Sequence, residues 1–249
     1  MAPTKLLDTH IHLWPASATS SSAHGWMTSG HFLAKRHGIA EYKAATAGAA
    51  PDGFVYVETD RYLPTPEPDI QPSDAEDVIE EKLKTWAAEP LKELSFLRRM
   101  VEGSPTEGDE DGFTPSDSAL LKGMVIYAPF QLSTALFTTY LRLARETLGA
   151  QAWSKVVGFR YLLQGRGVTH VRTLVQSEDF VRNLRSIEGK VFDVGVDCHR
   201  DGVEVLDWVG EMVERVAKLE EGVKPKFVLS MCPPPSIAMS FPLGKVCLA

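Results

Sequence analysis

The chain reads as an α/β protein built on a parallel sheet, and three observations predict this. Short apolar runs rich in β-branched and aromatic residues alternate with amphipathic stretches about five and a half times. Polar residues capable of chemistry recur at the same end of run after run: His10 and His12, then Glu58, Tyr127, Arg160, and finally Asp197 and His199. The length of 249 residues suits one (β/α)8 barrel, which takes about 250. Only about six strands can be counted, so the expected architecture is an incomplete barrel of this type. It forms a single domain over residues 1–249, with residues 230–249 as a divergent tail.

Each element has its own justification. Leu6 and Leu7 open an apolar run that predicts a buried first strand, ending in Asp8-Thr9-His10-Ile11-His12. Side chains two apart on a strand share a face, so His10 and His12 can chelate a metal or polarise a carbonyl together. Ala16 to Ala23 is a Ser/Ala-rich loop, placed where a barrel enzyme carries a substrate lid. His24, Trp26, His31 and His37 lie in or beyond it, either lining a pocket or solvated on a mobile surface. Ala34 to Ala50 is mildly helical and Pro51-Asp52-Gly53 ends it. Gly53 to Glu58 is the second strand, followed by Asp60 with Arg61 as its natural ionic partner.

Four prolines stiffen residues 62–73, and Asp74 is placed to cap a helical region reaching about Met100, with a break at Pro90. Ile79, Leu83 and Trp86, then Leu91, Leu94 and Leu97, repeat at helical spacing and predict core. Glu102 to Ser118 is acidic and rich in Gly and Pro, which predicts a solvated excursion. Lys122 to Pro129 is the third strand, and Ser133 to Leu148 an amphipathic helix stopped by Gly149. Lys155 to Leu163 is the fourth strand, Thr173 to Ile187 a helix, and Val191 to Asp197 the fifth strand. Val203 to Leu219 is a long helix, and Lys226 to Leu229 starts a sixth strand.

Composition narrows the function. The net charge of −7 argues against nucleic acid as a partner. No apolar run approaches the roughly 18 residues of a membrane span, and no leader pattern is visible, which points to the cytosol and a small-molecule substrate. The three cysteines are well separated, with no CxxC, so neither a disulfide framework nor a zinc ribbon is suggested. Phosphate loops, dinucleotide fingerprints and nucleophile elbows are absent from the sequence.

At Asp8-Thr9-His10-Ile11-His12-Leu13-Trp14, Val57-Glu58-Thr59-Asp60-Arg61, Val157-Gly158-Phe159-Arg160 with Leu162-Leu163-Gln164, and Phe192-Asp193-Val194-Gly195-Val196-Asp197, the sequence resembles the amidohydrolase superfamily. More narrowly it is similar to the group of sugar lactonases and pyrone-dicarboxylate lactonase. The resemblance implies a hydrolytic barrel. His10 and His12 would be catalytic, as metal ligands or as direct polarisers of the carbonyl. Arg160 would be catalytic as the arginine that holds a substrate carboxylate or carbonyl. Glu58, Tyr127, Asp197 and His199 would line the substrate. Zinc serves some members, while lactonases of the group work without metal.

The resemblance stops after Leu229, where the family would supply a sixth-strand histidine and later an eighth-strand aspartate as general base. Here Ser230 to Ala249 follow, with three consecutive prolines that cannot continue a central strand. A C-terminally truncated barrel is therefore expected, with open edges at strands one and six that an oligomer would cover. Three readings follow. The first is a lactone-opening hydrolase with Asp197 or Glu58 as substitute base. The second is a zinc-dependent decarboxylase or amide hydrolase, and the third a catalytically dead fragment.

Overall fold

A computed structural model of the chain describes residues 5–218, 224–230 and 246–248. In chain order the elements are β1 (Leu7–Ile11), α1 (Ile39–Ala45), β2 (Gly53–Val57), α2 (Glu76–Trp86), α3 (Ala88–Glu102), β3 (Leu121–Tyr127) and α4 (Thr134–Trp153). They continue with β4 (Val156–Arg160), α5 (Val168–Gln176), α6 (Glu178–Ser186), β5 (Val191–Gly195), α7 (Cys198–Asp201), α8 (Val205–Lys218), β6 (Lys226–Ser230) and β7 (Val246–Leu248). The fold class is α/β, as predicted: six strands, each followed from β2 to β5 by one or more helices, and a short seventh. The chain forms two compact units. One holds the residues up to Ile126 together with Thr139–Val156, and the other holds Tyr127–Thr138 with Val157 onward.

In the first unit β1 pairs parallel with β2, and β2 with β3. Phe54, Tyr56, Leu83, Leu97, Met100 and Tyr140 are fully or almost fully buried and form the centre of its core. The expectation that Leu6 and Leu7 begin a buried strand is corrected: they are 39% and 47% exposed. Among the described residues β1 has a neighbour on one side only, so it is an edge and its apolar start faces water.

Three further expectations change here. The helical region breaks at Ala87, not at Pro90, which sits in the first turn of α3, where its missing N–H costs nothing. Asp74 does not cap α2. Its carboxylate instead accepts from the Gln71 amide and Lys82 Nζ.

Residues 102–118 are a solvated excursion only in part: 106–108 and 114–116 are exposed, but the segment also has buried anchors. Asp111, Phe113 and Asp117 are buried. Arg99 Nε and Nη2 donate to Asp111 at 2.9 and 2.8 Å, and the Thr106 amide donates to it at 2.9 Å. Lys43 Nζ donates to Asp117 at 2.7 Å, and the Ala40 amide donates to Gly112 O at 2.9 Å, so α1 is tied to the same segment. Ion pairs at such sequence distances leave no local pattern to read.

Residues 14–37 also differ from a mobile surface loop. Trp14, Ala18, Ala23 and Met27 form a small core of their own, with Trp26, Leu33 and Ala34 packed against it. An isolated antiparallel bridge between Trp14 and His37 closes the ends, and Trp14 Nε1 donates to Lys35 O at 2.8 Å.

In the second unit β4, β5, β6 and β7 pair in sequence order, all parallel. Its core is aromatic. Phe130 is ringed by Phe137, Phe159, Phe180 and Phe192 at centroid separations of 4.9, 6.4, 6.2 and 5.0 Å, within the range of favourable edge-to-face pairs. The helix expected over 173–187 is two helices, because Ser177 leaves the helical conformation and caps α6 by accepting from the Phe180 amide. The expected open edge at strand six is corrected as well, since β7 pairs with β6 through Phe227, Val228 and Leu229. The remainder of the tail expected at 230–249 lies outside the described residues. Among the described residues no helix is long and apolar enough to cross a membrane.

Candidate active site

In the first unit the structure brings His10 and His12 together. Their rings meet edge to face at 4.8 Å, and the two Nε2 atoms are 3.1 Å apart. The spacing has a local cause. The register of β1 shifts between Asp8 and Ile11, and the Asp8 carboxylate accepts from the His10 amide at 3.2 Å. His12 Nδ1 lies 2.9 Å from Val57 O, at the end of β2. A carbonyl oxygen only accepts, so this Nδ1 carries a proton, and in the neutral ring Nε2 is the acceptor. His10 Nε2 then donates to it. With both rings neutral, the pair presents one N–H donor beside one basic nitrogen.

The separation of the two ring nitrogens is close to that of a zinc site. Two imidazoles on adjacent corners of a tetrahedral zinc site place their nitrogens about 3.3 Å apart, close to the separation seen. Among the described residues, however, no group of three or more His, Cys, Asp or Glu is placed to hold a metal. The pair supplies two corners of such a site, and the described residues do not complete it.

The turn after β2 is buried and polar. Glu58 is 1% exposed, and its Oε2 accepts from the Asp60 amide at 2.7 Å. Asp60 has φ +52°, a left-handed conformation that Asp tolerates better than most residues. Arg61 does not pair with Asp60 as the sequence suggests. It turns inward to Glu93 of α3, Nε to Oε1 at 3.5 Å, with the two side chains 2% and 0% exposed. Glu93 Oε1 also lies 2.7 Å from Tyr56 Oη, 3.0 Å from the Thr59 amide and 2.5 Å from Thr59 Oγ1. His24 is fully buried beside Thr59. Burial and then the Arg61 charge pull its pKa down to about 3, so the ring is neutral.

In the second unit Arg160 ends β4, 3% exposed, with Nη1 3.9 Å from Asp193 Oδ2 on β5. Asp193 Oδ1 accepts from the hydroxyl of Ser230, which stands directly after Leu229 on β6. Tyr127 is buried at the end of β3. Asp197 caps α7, accepting from the His199 and Arg200 amides at 3.0 and 3.2 Å, and His199 is exposed in the first turn of that helix. Asp201, from the same short helix, accepts from Gly165 and Gly167 amides and fixes the turn after β4.

Within each unit the structure thus joins His10 to His12, and Arg160 to a carboxylate the sequence did not single out. It also reveals Glu93, Thr59, Asp193 and Ser230. Glu93 had a signal: it lies on the stripe of Pro90, Leu97 and Met100, where a charged residue is out of place.

The sequence matches no family model and no curated protein. Solved structures do match. An amidohydrolase from Burkholderia multivorans with bound zinc superposes with TM-score 0.51 at 18% identity, covering 91% of this chain and 57% of that one. A second structure described in the same words, with bound HEPES, gives 0.51 at 16% identity over 91% and 56%. A probable 2-pyrone-4,6-dicarboxylic acid hydrolase from Acinetobacter baumannii with citric acid bound gives 0.43 at 9% identity over 91% and 58%, a likeness too loose to bear on the reading. The chain therefore shares its fold with the first two of these structures, an incomplete barrel of the (β/α)8 type among the described residues, and spans about 57% of the length of the first neighbour.

Proposed function

We propose that this chain is a hydrolase domain of the amidohydrolase type that opens a lactone, of a sugar acid or an aromatic breakdown product, in the cytosol. The observation that supports the reading is the placement of the pair, with the two Nε2 atoms 3.1 Å apart and His12 Nδ1 2.9 Å from Val57 O, an arrangement that in neutral rings offers a donor at His10 Nε2 beside a base at His12 Nε2. In the reaction the His10–His12 contact opens, and the freed His10 N–H hydrogen-bonds the ring carbonyl oxygen as it gains charge. Water adds to the carbonyl carbon and gives its proton to His12 Nε2. The ring C–O bond then breaks, and the departing alkoxide takes that proton back, leaving a hydroxy acid. This assignment relieves Glu58 and Asp197 of the role of base, and both carboxylates already hold backbone amides. In the second unit Arg160 is proposed to bind an anionic or carbonyl group of the substrate, with Asp193 orienting its guanidinium.

Acid release from a panel of sugar and aromatic lactones tests the proposal. At least one should be opened, with kcat lowered about 100-fold or more in His12→Ala. No turnover of any lactone would sink it. The zinc-dependent decarboxylase or amide hydrolase remains a second reading because of the Nε2 separation. One zinc per chain that survives dialysis, and is lost in His10→Ala, would favour it.

A further inference from the structure

Three contacts run in line from the segment after β1 to α3. His24 Nδ1 lies 3.0 Å from Ala18 O, His24 Nε2 lies 2.8 Å from Thr59 Oγ1, and Thr59 Oγ1 lies 2.5 Å from Glu93 Oε1. Each contact needs one proton between its heavy atoms. The Ala18 carbonyl only accepts, so His24 Nδ1 carries the first. The threonine hydroxyl supplies the second. A neutral imidazole and an ionised carboxylate have none left for the third. Either His24 is an imidazolium or Glu93 is an undissociated acid.

Three observations favour the acid. Glu93 Oε2 is buried with no hydrogen-bond partner, a costly place for half a carboxylate charge. Arg61 Nε stands 3.5 Å from Oε1, whereas charge-assisted bonds close to about 2.7–2.9 Å. His24 is fully buried and faces the Arg61 cation, a poor setting for a second positive charge. The other groups facing the chain are the Glu58 carboxylate, which offsets Arg61, and the hydroxyls of Tyr56 on β2 and Tyr140 on α4. Burial foremost raises the Glu93 pKa, with Glu58 helping, against the Arg61 charge and the hydrogen-bond contacts with Thr59 and Tyr56.

We propose that Glu93 carries the third proton as an undissociated acid, and that this proton fastens the segment between β1 and α1 to α3, so that base releases the fastening. When Glu93 ionises, two protons remain for three contacts and one link opens. The segment then stays tied by its own small core and by the Trp26 indole, which donates to Thr59 O at 3.1 Å.

The test uses the full chain. Long-range proton–nitrogen spectra should show His24 as a neutral Nδ1–H ring at pH 6, its signals identified by their loss in His24→Gln. Infrared difference spectra at neutral pH should show a carboxylic-acid carbonyl band that disappears in Glu93→Gln. Trypsin cleavage at Lys35 and Arg36, normalised to a peptide standard, should rise about tenfold as Glu93 ionises, the worth of one neutral hydrogen bond. It should stay flat in Glu93→Gln, whose amide cannot ionise. An imidazolium at His24 would overturn the proposal, as would the absence of an acid band that depends on Glu93. Both spectra can be read on the wild-type chain if a variant does not fold.

Discussion

Asp111→Ala is expected to destabilise the protein by about 3 kcal/mol. The wild-type carboxylate is fully buried and accepts three hydrogen bonds, two from the Arg99 guanidinium and one from the Thr106 amide. Breaking a buried ion pair by removing one partner costs about 3–5 kcal/mol. The Arg99 side chain is 30% exposed and can recover water, which places the cost at the lower end, about 3 kcal/mol. For a chain of this size each kcal/mol lowers Tm by about 2–4 °C, so a fall of about 6–12 °C is expected.

Urea unfolding and thermal melts measure it, with Glu107→Ala as an exposed control expected within about 0.5 kcal/mol of wild type. The pH dependence gives a second reading. Burial pushes the Asp111 pKa up, but hydrogen bonds from Arg99 and Thr106 together outweigh it and leave it below the usual value. A carboxylate depressed in the folded state contributes stability above its unfolded pKa and loses it as pH falls through the folded one. The variant should therefore be less acid-sensitive below about pH 4. A loss under about 1 kcal/mol would refute the reasoning. It would mean that residues 102–118 are held by the Phe113–Phe96 contact, at 6.1 Å, by the Lys43–Asp117 ion pair and by backbone pairing.

Two further outcomes follow from the packing and the charges. Gly158→Ala places a Cβ 2.7 Å from Val191 O on the paired strand and should cost about 1–3 kcal/mol in a urea melt, with no gain on shrinking Val191 to Ala, because the obstacle is backbone. His24, held neutral with a pKa of about 3 against an ordinary 6.5, makes the unfolded chain the stronger proton binder between those values. Wild-type Tm should fall as pH drops through that window, and His24→Gln should lack this share of the fall. An unchanged pH dependence in the variant would show that folding does not lower the His24 pKa.

What could be read from the sequence was local. Phe54-Val55-Tyr56-Val57 and Met124-Val125-Ile126-Tyr127 announce strands by β-branched and aromatic content, and His10 with His12 announces a shared face by spacing alone. Thr173 to Ile187 and Val203 to Leu219 announce helical content by their apolar stripes, though the break at Ser177 is not visible in the first. What escaped was decided by partners far along the chain. Glu93 is on the stripe of α3 because Tyr56, Thr59 and Arg61 receive it there. Asp111 is buried because Arg99 reaches it. Leu6 and Leu7 carry a core composition, but their burial depends on a second neighbour for β1, which no window around them encodes. Asp193 reads as a polar residue in a buried strand, and only the β4 and β6 side chains beside it, Arg160 and Ser230, explain it.

The edge position of β1 bears on how the protein is handled. Among the described residues the strand that leads to the two histidines has a paired neighbour on one side only. An affinity tag fused ahead of it would hang from that strand, and a run of extra imidazoles could fold back along it. Such a tag would compete for any metal offered to His10 and His12 and would add proton-binding groups of the same kind to every titration. Zinc stoichiometry and pH profiles therefore call for untagged protein, or for a tag cleaved before measurement.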